Sequence, residues 1–126
     1  MAEQPVKSLE TLIEDVRTQA GFEAALIIDL KGSILAAARA DDTMPETVGA
    51  LLDIALRIAA RPEDRAKLAD VGESIFFDWD GRQVICRWFT RRKSSEPRLL
   101  VVLAPRGKPY KRAVSLLVKE TRRLSI

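Results

Sequence analysis

A chain of 126 residues and 14.1 kDa provides for a single domain, expected to span residues 1–126. With 47% hydrophobic and 31% charged residues it is neither a disordered tail nor a membrane-spanning protein. Its net charge of +3 conceals a split, with sixteen acidic against eight basic side chains over residues 1–81 and two against thirteen over residues 82–126.

The absences exclude several chemistries. There is no histidine, hence no His-based triad and no His metal site. The single cysteine, Cys86, can form neither an intramolecular disulfide nor a thiolate zinc site, and it fits a reducing compartment. Neither G-x-x-x-x-G-K-[ST] nor G-x-G-x-x-G occurs, so no phosphate-cradling loop is written in the chain. Glu3, Glu10, Glu14 and Asp15 interrupt the start where a signal peptide needs an apolar core. Asp29 and Pro105 break the longest apolar runs well short of the roughly 18 residues of a spanning helix. A cytoplasmic non-enzyme with no cofactor or metal is the expectation.

Val6 to Ala20 carries Leu9, Leu12, Ile13 and Val16 at three- and four-residue steps, which predicts an amphipathic helix stopped at Gly21. Phe22 to Leu30 is apolar on both faces and reads as a central strand. Lys31-Gly32 turns the chain, and Ser33 to Ala40 returns antiparallel. Thr43 to Ala60 follows as a second helix, opened by Thr43, Pro45 and Glu46 and broken at Pro62; Glu63 to Ala69 suggests a further short helical piece.

Glu73 to Trp79 and Arg82 to Arg91 form a predicted hairpin around Asp80-Gly81, the preferred pair for a two-residue turn. On that reading Ile75, Phe77 and Trp79 share one face of the first arm, and Val84, Cys86 and Trp88 one face of the second. Arg98 to Ala104 is another central strand, and Tyr110 to Leu124 closes the chain as a helix with a basic outer side. The predicted class is α/β. It is a three-layer α-β-α sandwich with a five-stranded antiparallel sheet in the order α-β-β-α-β-β-β-α.

The second helix is too apolar for a helix resting on one surface. Its apolar side chains, Val48, Leu52, Leu56 and Ala59 among them, cover an arc of about 200°, twice the width that one packing surface requires. Glu46, Asp53 and Arg57 hold the narrow polar stripe. The segment after Pro62 offers little apolar surface to cover the excess. The expected cover is the same helix of a second copy, with the edge of Glu73 to Trp79 pairing across the two-fold axis. Val48, Leu52, Leu56, Ala59, Ile75, Phe77 and Trp79 are the expected dimer interface.

Gly21 to Ala38, GFEAALIIDLKGSILAAA, resembles the signature hairpin of the Roadblock (dynein light-chain Roadblock-type) domains, in which a strand rich in small residues ends in Asp-x-x-Gly before its return. The order of elements is similar along essentially the whole chain. The resemblance implies a dimer whose sheet continues through the third strand and whose middle helices pair. Bacterial and archaeal members of that family regulate small Ras-like GTPases without supplying a catalytic arginine. The implied docking face is the paired second helix and the nearby sheet, with Glu46, Asp53 and Arg57 as its polar contacts.

Two other readings come from the residues. The run Arg91-Arg92-Lys93 with Arg98, Arg106, Lys108, Lys111, Arg112, Lys119, Arg122 and Arg123 is a basic face, and Trp88 and Phe89 on the same strands could stack on bases, as a nucleic-acid binder requires. A sheet flanked by helices also suits a small-molecule sensor, but that needs a cavity where the central strands here are filled with Ile, Leu and Val. Cys86 alternates with core residues as a small buried hydrophobe, and Asp78 and Asp80 serve turn geometry.

Overall fold

The structure is a computed structural model that describes residues 8–59, 73–77, 80–90 and 96–123, with the backbone alone described for Glu73, Ser74 and Phe77. In chain order the elements are α1 (Leu9–Ala20), β1 (Ala24–Ile28), β2 (Ile34–Arg39), α2 (Pro45–Ala59), β3 (Glu73–Phe77), β4 (Gln83–Thr90), β5 (Pro97–Ala104) and α3 (Lys111–Arg123). The five strands form one antiparallel sheet in the order β2-β1-β5-β4-β3. α1 and α3 cover one face and α2 the other, which makes the three layers that the sequence predicts. The short helical piece expected over Glu63 to Ala69 lies outside the described residues.

Local chemistry sets the element ends. Ser8 caps α1, its Oγ accepting from the Thr11 N–H at 3.1 Å. At the other end Gly21 takes φ 72°, donating to Thr18 O, and Phe22 N–H returns to Arg17 O at 3.0 Å. This pair of bonds satisfies carbonyls left over at the helix terminus. Leu9, Leu12, Ile13 and Val16 are all buried, as their spacing requires.

β1 is buried at all five positions and runs between β2 and β5. It is shorter than the predicted Phe22 to Leu30, because Phe22 closes the helix cap and Asp29 belongs to the turn. There the Asp29 carboxylate accepts from the N–H groups of Lys31 and Ser33, both at 2.9 Å, and Gly32 takes φ 84°. The Asp-x-x-Gly pattern is thus a local hydrogen-bonding device (an Asx-type turn with a glycine at its left-handed position).

The layers divide by strand parity. Ala25, Ile27, Ile85, Leu100 and Val102 face α1 and α3; Ala24, Leu26, Val84, Cys86, Leu99, Val101 and Leu103 face α2. Burying one such large side chain contributes about 1.5–3 kcal/mol. With Arg98, Arg17 is one of two buried charged residues among those described. Its guanidinium holds both Glu14 carboxylate oxygens, at 2.9 and 2.7 Å, and donates to Phe22 O at 3.0 Å, tying α1 to the start of β1.

The β3–β4 hairpin differs from its prediction. A two-residue Asp80-Gly81 turn would place Phe77 across from Val84. Instead Phe77 pairs with Gln83 and Phe76 with Val84, leaving residues 78–82 as the connection. Of Asp80 and Gly81, Gly81 alone has positive φ, 79°, whereas the two-residue turn preferred by Asp-Gly needs it at both positions. The register is displaced by one residue, and in a strand of period two that exchanges the faces.

Candidate interaction surfaces

α2 spends only part of its apolar arc on its own sheet. Leu51, Ala55 and Ala59, four residues apart, form the buried line against β1 and β5. Ala59 therefore lies in the chain's own core at 7% exposure, and the expected interface loses it. Val48, Leu52, Ile54 and Ile58 are half-buried against the same core, while Met44 and Leu56 are exposed at 65% and 39%.

The two flanks of α2 are not equivalent. Leu56 leans over the β1–β2 turn, where a Cβ on Gly32 would fall 2.5 Å from its Cδ2. Leu52 and Leu56 thus occupy the flank towards β2. At 100° per residue Ile54 and Ile58 fall on the opposite flank, turned towards β4 and β3. Only that second flank can be continuous with the free edge of β3.

β3 ends the sheet, bonded on one side to β4. Ile75 pairs with Ile85, whose side chain lies in the α1–α3 core, so Ile75 is on that face. Phe76 pairs with Val84, a residue of the α2 core, and is 44% exposed. The apolar β3 side chain on the α2 side is therefore Phe76. The displaced register thus puts Ile75 on the face away from Leu52 and Leu56, with which it was expected to group. The Phe77 side chain and Trp79 lie outside the described residues. Further along β4 on the α2 side, four residues from Val84, Trp88 is half-buried with its Nε1 enclosed and without a hydrogen-bond partner among the described residues.

The polar stripe of α2 is solvated. Asp53 and Arg57 lie 3.6 Å apart with 69% and 81% of their side chains exposed, and Glu46 is exposed in the first turn of the helix. Such a pair contributes little to folding and leaves both charges free to meet a partner.

Neither Trp88 nor Phe89 offers a stacking platform beside the basic face. Phe89 is buried in the α1–α3 core and Trp88 lies on the α2 side, away from the exposed cations of α3. Burial also pushes the Cys86 thiol up to about 12, which leaves it inert. Among the described residues no group of three or more Cys, Asp or Glu side chains is placed to hold a metal ion, and no helix is long and apolar enough to cross a membrane.

This arrangement, a five-stranded antiparallel sheet between one helix and a pair, is the fold of the Roadblock/LC7 domains. A Roadblock/LC7 domain from Streptomyces avermitilis superposes with a TM-score of 0.65 at 16% identity over 91% of this chain and 95% of that one. The gliding protein MglB of Thermus thermophilus is similar at a TM-score of 0.62 and 20% identity, over 98% of this chain and 89% of that one. A structure of MglB with a tetrameric arrangement matches at 0.62 and 20% over 98% and 88%. At the level of sequence, no family model and no curated protein matches the chain.

Proposed function

We propose that the protein is a non-enzymatic, self-associating regulator or scaffold that docks a small Ras-like GTPase. What carries this reading is apolar surface left on one side of the sheet, with Ile54 and Ile58 half-buried on the α2 flank towards β4 and Phe76 exposed on the same face of the edge strand β3. A monomer gains nothing by exposing this surface. A two-fold axis beside β3 covers it twice over, since the strand edges pair and the two α2 helices close over the joined sheet. The MglB likeness supports the reading, as one of those structures has a tetrameric arrangement.

The GTPase part rests on the Roadblock resemblance and on the polar ridge of α2. Once two helices pair, Glu46, Asp53 and Arg57 lie on the outside of the pair, where a charged partner surface can meet them. Multi-angle light scattering on the eluting protein tests self-association, with a dimer or a multiple of dimers as the expected mass. Binding to a co-encoded Ras-like GTPase, loaded in turn with GTP and GDP, tests the partner. Preference for one nucleotide state together with a changed hydrolysis rate is expected. Absence of both ends the regulatory assignment.

A further inference from the structure

On the face of the sheet opposite α2, a cleft of about 400 Å³ opens between β4 and α3. Arg87, Ser115, Val118, Lys119, Arg122 and Arg123 line it. Ser115, Lys119 and Arg122 stand four and three residues apart on α3 and so present one stripe to the strand. Val118, 7% exposed, is its apolar floor. Arg87 rises from β4 and is half-buried, its Nη1 donating to Ser115 Oγ at 3.2 Å. The guanidinium is held in place by a neutral partner, and its neighbour across the hairpin is Glu73, of which the backbone alone is described.

Four cations converge on this volume. Glu120 lies 3.7 Å from Arg123; among the described residues no carboxylate is paired with Arg87, Lys119 or Arg122. Gathering like charges is unfavourable unless an anion accompanies them, and three guanidinium forks provide paired donors for oxyanions. We propose that this cleft binds a compact, multiply phosphorylated group carrying two or more phosphates. A nucleic-acid backbone suits it less well, since the cleft has no aromatic wall. Lys111 and Arg112, which would extend a track along α3, are not among its lining residues. Soluble oligophosphates and the headgroup of a polyphosphoinositide share the recognised chemistry.

The test is calorimetric titration of the full chain with inorganic tripolyphosphate at low ionic strength, repeated for Arg87→Gln, Arg122→Gln and Lys111→Gln. Saturable binding that weakens about tenfold or more in each of the first two variants and is kept in Lys111→Gln is the expected result. Arg122 is exposed, so its variant reports on the cleft even where Arg87→Gln perturbs β4. Vesicles of phosphatidylcholine with phosphatidylinositol 4,5-bisphosphate form the second arm. Capture that tripolyphosphate displaces upholds the site with a lipid source, and no capture beside intact tripolyphosphate binding upholds it with a soluble one. No saturable binding, or an equal loss from Lys111→Gln, overturns the assignment. A duplex oligonucleotide bound in preference to tripolyphosphate and indifferent to Arg87→Gln overturns it as well.

Discussion

Phe76 stands directly across from Val84, so its ring projects into the layer occupied by α2 while its neighbour Ile75, across from Ile85, projects into the layer of α1 and α3. That single pairing decides which side chains of the free edge can meet the helix surface. It also separates the effects of substitution at two adjacent apolar residues of similar exposure, 38% for Ile75 and 44% for Phe76.

Phe76→Asp is expected to weaken self-association by at least about tenfold, an aspartate being desolvated between two helix layers. Ile75→Asp should have the smaller effect. On α2, Ile54→Asp should act like Phe76→Asp, and Leu56→Asp, on the flank over Gly32, should act less. Sedimentation velocity over a concentration series reads all four. Equal responses at positions 75 and 76 would contradict the placement of the helix pair.

Gly32 combines two constraints, a φ of 84° and the Leu56 methyl 2.5 Å from where a Cβ would stand. Gly32→Ala should lower stability by about 1–2 kcal/mol from the left-handed backbone alone. A further loss should come from displacement of Leu56. Urea denaturation of Gly32→Ala with and without Leu56→Ala separates the two, because shortening Leu56 relieves only the second.

Arg17→Met removes the fork on Glu14 and the bond to Phe22 O, and is expected to lower stability by about 1–3 kcal/mol. The hydrogen bonds from Arg17 hold the Glu14 carboxyl below its ordinary value of 4.5. A depressed carboxyl stabilises the fold fully above that ordinary value and loses its contribution as pH falls through the folded-state value. Urea midpoints at about pH 7 and about pH 3 should therefore differ less in Arg17→Met than in the native chain. An unchanged difference would remove Glu14 from the acid response.

Cys86, buried and pushed up to about 12 from 9.0, should resist iodoacetamide until the chain unfolds. Its thiolate fraction near neutral pH is about a thousandfold below that of a free thiol, and access is closed besides. Mass spectrometry across a urea series should show alkylation rising with the unfolding transition. Modification well below the transition would mean that the α2 layer opens locally.

The elements themselves were legible in the residues because each rests on near-neighbour chemistry. The spacing of Leu9, Leu12, Ile13 and Val16 makes α1, Gly21 stops it, and the Asp29 carboxylate with Gly32 shapes the first turn. The double-sided burial of β1 and β5 followed from their unbroken apolar composition. The interaction surface was legible only in outline. The excess apolar arc of α2 was visible, yet Ala59 proved to belong to the core, and Leu52 and Leu56 to the flank away from β3. Phe76, Ile54 and Ile58, which carry the proposed surface, were not among the expected interface residues. Arg87 was missed because alternation shows only a polar break between core positions, and its cleft is completed by α3 from nearly thirty residues on.

Periodicity, caps and turn residues act over a few neighbouring positions, and that much of the molecule, elements and class of fold together, is determined by the amino-acid order alone. The pairing of Phe76 with Val84, the side on which α2 leans, and the meeting of Arg87 with Ser115 were decided in three dimensions. The physical reason is the period of two in a strand. A hairpin connection of five residues in place of two is as acceptable locally, yet the register it selects assigns each side chain to one layer or the other.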